Sequence, residues 1–138
     1  KSADDLSQEQ CLPHFDELGE FNFVAILYLN DGDYGGTTFY RHKPTGFERV
    51  NDERCEEYSA SVTELFSTKD QPKKRYYGDA SDGDFECIKS IDYKRNRIAL
   101  YPASILHSIN IKDQALLSAD PTKGRLTANI ILRFVPQD

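Results

Sequence analysis

The sequence predicts one mainly β domain, a barrel or sandwich that carries an inserted helix, and three observations carry that expectation. Strand-sized apolar runs recur along the chain, separated by clusters of Gly, Asn, Asp and Pro. Only Glu53 to Phe66 spaces its apolar residues at helical intervals. The final run, Arg125 to Val135, alternates apolar and polar residues with the two-residue period of a strand.

Taken in order, residues 1–10 are polar and read as a lead-in. Phe21 to Leu29 is rich in β-formers and reads as a strand buried on both faces. Asn30-Asp-Gly-Asp-Tyr-Gly-Gly36 is dense in turn residues and ends it, and Thr37 to Tyr40 starts a second short strand. Cys55, Tyr58, Val62, Leu65 and Phe66 then mark one face of the amphipathic helix. Ser67 to Asp84 is charged, contains Pro72, Gly78 and Gly83, and is too long for a mere connector. Within it, Lys69 to Tyr77 mixes cations with aromatics, as a lid, a receiver of acidic substrate or a solvated loop would. Four further strands follow, over Phe85–Tyr93, Arg97–Tyr101, Ile105–Ile111 and Arg125–Val135. In the last, Arg125, Thr127, Asn129, Ile131 and Arg133 share one face, and Leu126, Ala128, Ile130, Leu132 and Phe134 the other. The apolar face is expected to pack. The polar face suits a barrel mouth that holds something polar, because three hydrogen-bonding residues in a row are costly against an apolar core.

The chain has 138 residues, 38% hydrophobic and 29% charged, which is enough apolar material for one core and fits a single domain over 1–138. A net charge of −6 argues against broad electrostatic capture of nucleic acid. No apolar run approaches the roughly 20 residues of a membrane helix. Cys11, Cys55 and Cys87 lie far apart and form no CxxC, so neither a zinc ribbon nor a redox pair is indicated. Three free thiols fit a reducing compartment, and a cytoplasmic location is expected. The chain opens at Lys1 rather than Met and reads as a fragment or a processed form.

The chemistry rests on histidines. His14-Phe-Asp16 places an imidazole and a carboxylate two residues apart, on one face if extended. His107 lies in a later strand-like run. Two imidazoles and one carboxylate that leave three coordination positions open form the facial triad of non-haem Fe(II) oxygenases. Each histidine taken singly is more often structural than a ligand. His42, in Arg41-His-Lys-Pro44, sits among cations and reads as a surface residue.

Order along the chain adds specificity. Pro13-His-Phe-Asp16, Phe21 to Asn30, Gly35-Gly-Thr-Thr-Phe39, Ile105-Leu-His107 and Gly124-Arg-Leu-Thr127 follow one another as Pro-His-x-Asp, a strand ending Tyr-Leu, a Gly-Gly-x-Thr turn, a distal His and a basic residue before the last strand. This series resembles the catalytic domain of prolyl-4-hydroxylase-like oxygenases dependent on 2-oxoglutarate and Fe(II), close to an uncharacterised bacterial branch. The resemblance spans residues 13 to 134.

That resemblance implies a double-stranded β-helix, a jelly-roll or cupin-like barrel with at least one inserted helix. It implies His14, Asp16 and His107 as catalytic ligands of Fe(II). Arg125 would anchor the distal carboxylate of 2-oxoglutarate through its planar fork. Thr127 would assist it from the same face, with Thr38 a further contact and Arg133 the fallback anchor. An intact Asp16 is similar to the hydroxylases of the family rather than to its halogenases, which carry a small residue there. The expected partners are O₂ and a small-molecule or peptidyl substrate, without nucleic acid or membrane; the oligomeric state is open. The interval from His107 to Arg125, 125 − 107 = 18, exceeds the family's usual spacing and makes 110–123 an inserted loop. The resemblance also implies further strands and helices before the Pro-His-x-Asp motif, where 13 residues precede His14 here, so either those elements are absent from this chain or the double-stranded β-helix is minimal. Two alternatives stay open: a non-catalytic binding module on the same barrel, and a cupin-like metal enzyme that does not use 2-oxoglutarate.

Overall fold

The computed structural model describes residues 12–67, 83–110, 118, 120 and 122–135. The expected lead-in at 1–10, Cys11, nearly all of the 67–84 loop and most of the 110–123 insertion lie outside the described residues. Six strands and one helix follow in order: β1 (Asn22–Tyr28), β2 (Thr37–His42), α1 (Asp52–Ser67), β3 (Phe85–Ile91), β4 (Ile98–Pro102), β5 (His107–Ile109) and β6 (Thr127–Arg133). They form two antiparallel three-stranded sheets, ordered β4-β1-β6 and β3-β2-β5, with no closed barrel among the described residues.

The sheets hold together through alternate side chains. Val24, Ile26 and Tyr28 of β1 are buried, and they meet Phe39 of β2 and Ala99 and Tyr101 of β4 in one cluster. The intervening Phe23, Ala25 and Leu27 are only half-buried, so β1 is covered fully on one face rather than on both. A second cluster, Tyr40, Val50, Tyr58, Phe85 and Leu106, lies on the other face of β2, roofed by α1 through Cys55, Val62 and Leu65. Strand β2 is therefore buried on both faces, the condition expected for β1. Helix α1 starts where the Asn51 Oδ1 accepts from the Arg54 amide at 3.1 Å, with Asp52 and Glu53 complementing the helix dipole.

Two further expectations are corrected. His42 is buried, 1% exposed, not a surface residue. Strand β2 runs on through His42 to a bridge with Phe47, which turns the ring under α1 between Tyr58 and Phe85. Its neighbour Arg41 faces the other way and pairs with Glu48 and Glu86. The apolar face of β6 is the second case. The register sets Thr127, Asn129 and Ile131 beside Tyr28, Ile26 and Val24, so the mixed face lies on the inner side of the sheet, with Thr127 half-buried and Asn129 and Ile131 (52%) still exposed. Ile130 (53% exposed) and Phe134 (59%) face outward, in line with Ile98 (63%) and Leu100 (59%) of β4. Among the described residues no second layer covers this side of the sheet. No helix there is long and apolar enough to cross a membrane.

Candidate metal centre

The segment carrying His14 adds to the free edge of β5. The His14 amide donates to the His107 carbonyl at 2.9 Å, and the His107 amide donates back at 2.8 Å. A pair that exchanges both bonds points its side chains to one face. The Asp16 amide then donates to the Ala103 carbonyl at 2.8 Å, and the two-residue period brings its carboxylate to that same face. The two imidazole rings stand 4.6 Å apart. His14 Nε2 is 3.8 Å from Asp16 Oδ1, and His107 Nε2 is 3.4 Å from Asp16 Oδ2. One donor atom from each residue falls within 4.8 Å of the other two. A cation about 2.1 Å from each of three such atoms needs only a small inward closure.

The environment favours the ligating form. His107 Nδ1 lies 2.9 Å from the Ile105 carbonyl; with the proton on Nδ1 for that bond, the Nε2 lone pair faces Asp16 and His14. Burial holds the His107 pKa below its ordinary value, with the Ile105 bond opposing and the nearby His14 reinforcing. A neutral imidazole is the state that metals require. His14 and Asp16 face solvent, which leaves one side of the cluster open.

Behind the cluster the inner faces of the sheets supply aromatics. The Tyr101 ring packs 4.8 Å from His107 and 5.1 Å from Phe39. The Tyr28 ring stacks 4.6 Å from Tyr93. Arg125 lies over both, 5.5 Å from the Tyr28 centroid and 5.6 Å from that of Tyr93. Its Nε donates to the Gly35 carbonyl at 3.3 Å and an Nη to Gly36 at 3.5 Å. Burial pulls its pKa down, and among the described residues no carboxylate pairs with it. The glycines are needed for this approach: Gly35 has φ 73°, and a Cβ on Gly36 would stand 1.6 Å from the Ile91 carbonyl.

The other expected contacts divide. Thr127 sits beside Tyr28 in the register, on the same inner face. Thr38 does not face this space. It pairs with Ser90 and Ser108 on the side of β2 that carries Tyr40, and its hydroxyl bonds Ser90 Oγ at 2.8 Å. The threonine on the inner face is Thr37, bonded to the Tyr28 hydroxyl at 2.8 Å, one residue earlier in the strand than the motif suggests. Arg133, the fallback anchor, is exposed and pairs with Glu17 at 3.0 Å.

With this geometry in view, residues 1–132 match a family of unknown function, DUF6445. The chain belongs to that family. No curated protein and no solved structure matches it.

Reading the DUF6445 sequence alone misses the group that positions Arg125. Asn30 Nδ2 donates to the Gly124 carbonyl at 2.9 Å, and the Leu126 amide donates to Asn30 Oδ1 at 3.1 Å. The Tyr93 hydroxyl closes the clamp against Asn30 and the Leu126 carbonyl. Asn30 reads in sequence as one more turn residue; its partners lie 94 and 96 positions away. A shallow apolar groove beside His14, between Leu12–Phe15 and Tyr58, Val62 and Phe66 of α1, is likewise visible only after folding.

Proposed function

We propose that this DUF6445 chain is an Fe(II)- and 2-oxoglutarate-dependent oxygenase that hydroxylates a small-molecule or peptidyl substrate. One observation carries the reading. A two-histidine, one-carboxylate cluster and a half-buried arginine with no carboxylate partner among the described residues both adjoin the aromatics of the inner sheet faces, His107 against Tyr101 and Arg125 over Tyr28 and Tyr93. Imidazole nitrogen and hard carboxylate suit ferrous iron and leave positions for a bidentate co-substrate and O₂. The route of the chain supports a double-stranded β-helix: β1, β4 and β6 build one sheet and β2, β3 and β5 the other, with the earliest strand central in each.

The residues divide the work. His14, Asp16 and His107 would hold the metal, and Asp16 contributes the negative charge that offsets part of its own. Arg125 binds the far carboxylate of the co-substrate through paired N–H donors, in surroundings of low polarity where such a pair is strong. Tyr28 and Tyr93 fix the plane of the guanidinium, and the Asn30 clamp fixes its backbone. Bound iron with 2-oxoglutarate and O₂ supplies the oxidising chemistry, in which the keto acid becomes succinate and CO₂ and the substrate C–H becomes C–OH.

The test is anaerobic loading with Fe(II), followed by titration of 2-oxoglutarate while visible absorbance is read. A weak metal-to-ligand charge-transfer band is expected. Iron binding without a band overturns the co-substrate and favours a cupin-like metal enzyme. No iron binding overturns the centre and leaves a binding module.

A further inference from the structure

Arg49 carries a guanidinium that the roles above leave unused. The segment around it resumes the pairing that β2 leaves at Tyr40: the Leu106 amide donates to the Glu48 carbonyl at 2.9 Å and the Val50 amide to the Ser104 carbonyl at 2.8 Å. These bonds flank the Arg49–Ile105 pair, and a pair flanked in this way sets its two side chains close together on one face. The neighbours fix that face. Val50 and Leu106 join the cluster under α1, whereas Ile105 packs against the inner cluster that holds Tyr101 and Phe39. Arg49 therefore shares its face with Ile105 and, one strand period along, with His107. The His14–Asp16 segment adds to the opposite edge of the same strand, at His107 and Ala103. Arg49 and the ligand-bearing segment thus flank Ile105 two strand spacings apart, roughly 10 Å between backbones.

An exposed cation is ordinary, but this one is held and left open. Its Nε donates at 3.2 Å to the Oγ of Ser104, a residue 2% exposed and next to the Ala103 carbonyl that seats Asp16. The other described arginines each commit an Nη. Arg41, Arg95 and Arg133 give theirs to carboxylates, and Arg54, Arg97 and Arg125 to main-chain carbonyls. Neither Nη of Arg49 has a partner among the described residues, and Glu48, beside it in sequence, is turned to Arg41.

We propose that Arg49 binds a carboxylate of the substrate and so selects carboxylate-bearing substrates for the metal centre. A tethered guanidinium presents two N–H donors in a fixed plane, and one carboxylate accepts both. The inference rests on the oxygenase reading and narrows its substrate class to acids whose oxidised carbon lies a few bonds from the charge.

The test loads the protein with Mn(II), which relaxes the protons of any molecule held close to it, and with saturating 2-oxoglutarate to occupy Arg125. Butyrate, hexanoate, octanoate and their primary amides are then titrated, and the proton relaxation of each is read against a Zn(II)-loaded control. Wild type should bind an acid on the order of tenfold more tightly than its amide, the worth of hydrogen bonds to a charged group. Arg49→Ala should abolish that preference and Arg49→Lys restore part of it. The thermal midpoint and the relaxation of 2-oxoglutarate should stay unchanged in both variants, because the guanidinium is exposed. Equal relaxation of acids and amides, or relaxation of neither, overturns the carboxylate requirement. A preference that survives Arg49→Ala overturns the role of Arg49. Weaker 2-oxoglutarate binding in Arg49→Ala assigns the residue to the co-substrate and overturns its substrate role. Failure of wild type to relax 2-oxoglutarate itself overturns the oxygenase reading, an outcome distinct from the failure of Arg49.

Discussion

Replacing Arg125 with Met separates a binding arginine from a structural one, because the two roles predict opposite balances of stability and affinity. In the folded protein the guanidinium lies over two aromatic rings at 5.5 and 5.6 Å, contacts of roughly 0.5–2 kcal/mol each. Its hydrogen bonds to the Gly35 and Gly36 carbonyls, at 3.3 and 3.5 Å, are long and weak. Against these stands the cost of partly burying a cation that has no carboxylate partner among the described residues, the cost that pulls its pKa down. Met removes that cost and fills the space between the rings with a thioether that aromatic faces accept. The terms nearly cancel, and R125M should change unfolding free energy by no more than about 1–2 kcal/mol. Co-substrate binding has no such compensation. Truncating one partner of a buried charge pair costs about 2–5 kcal/mol, or roughly 30-fold to several-thousand-fold in affinity. Urea unfolding measures the first quantity, and 2-oxoglutarate titration of the Fe(II)-loaded protein the second. Unchanged half-saturation, or a stability loss above about 4 kcal/mol with affinity intact, would refute the assignment.

Three further outcomes are expected. Asp16→Ala should abolish Fe(II) binding while leaving the fold, since its carboxylate is exposed and only its backbone amide bonds the Ala103 carbonyl; iron retained at wild-type affinity in equilibrium dialysis would remove Asp16 from the centre. Asn30→Ala should weaken 2-oxoglutarate binding several-fold with iron affinity preserved, because it opens the clamp on Gly124 and Leu126; an equal loss of iron affinity would show general unfolding instead. Burial lowers the His42 pKa in the folded state, so the native chain binds fewer protons than the unfolded one once the pH drops below about 6.5. The His42 contribution is complete above that pH, and stability is lost as pH falls toward the lowered value, by at most about 1.4 kcal/mol per pH unit. Below the folded value the loss levels off. His42→Phe should flatten this slope in unfolding free energy between pH 7 and 5; an identical slope in both proteins would exclude His42 as its source.

The elements themselves are written in local sequence. Phe21–Leu29 and Arg125–Val135 alternate or cluster β-formers strongly enough that β1 and β6 fall inside those runs, and Cys55, Tyr58, Val62 and Leu65 mark the face that α1 buries. The candidate triad was also legible, because His14 and Asp16 are separated by the strand period and His107 by a recognisable order of motifs. The face of β2 was not. Thr38 follows the Gly-Gly-x-Thr pattern, yet a single residue of strand phase decides which threonine turns inward. His42 failed for a related reason: flanking charges suggested solvent, whereas the bridge to Phe47 carried the ring under a helix distant in sequence.

What the sequence determined by itself was therefore the strand and helix content, the acidic balance and the residue types able to ligate a metal, all properties of short windows of chain. Tertiary structure alone decided that His14 meets His107 across a shared pair of hydrogen bonds, and that Arg125 lies half-buried over Tyr28 and Tyr93. It alone left the Tyr101 hydroxyl buried without a hydrogen-bond partner among the described residues. Those facts depend on register between segments scores of residues apart. Register follows from the summed packing of two sheets and not from any local preference.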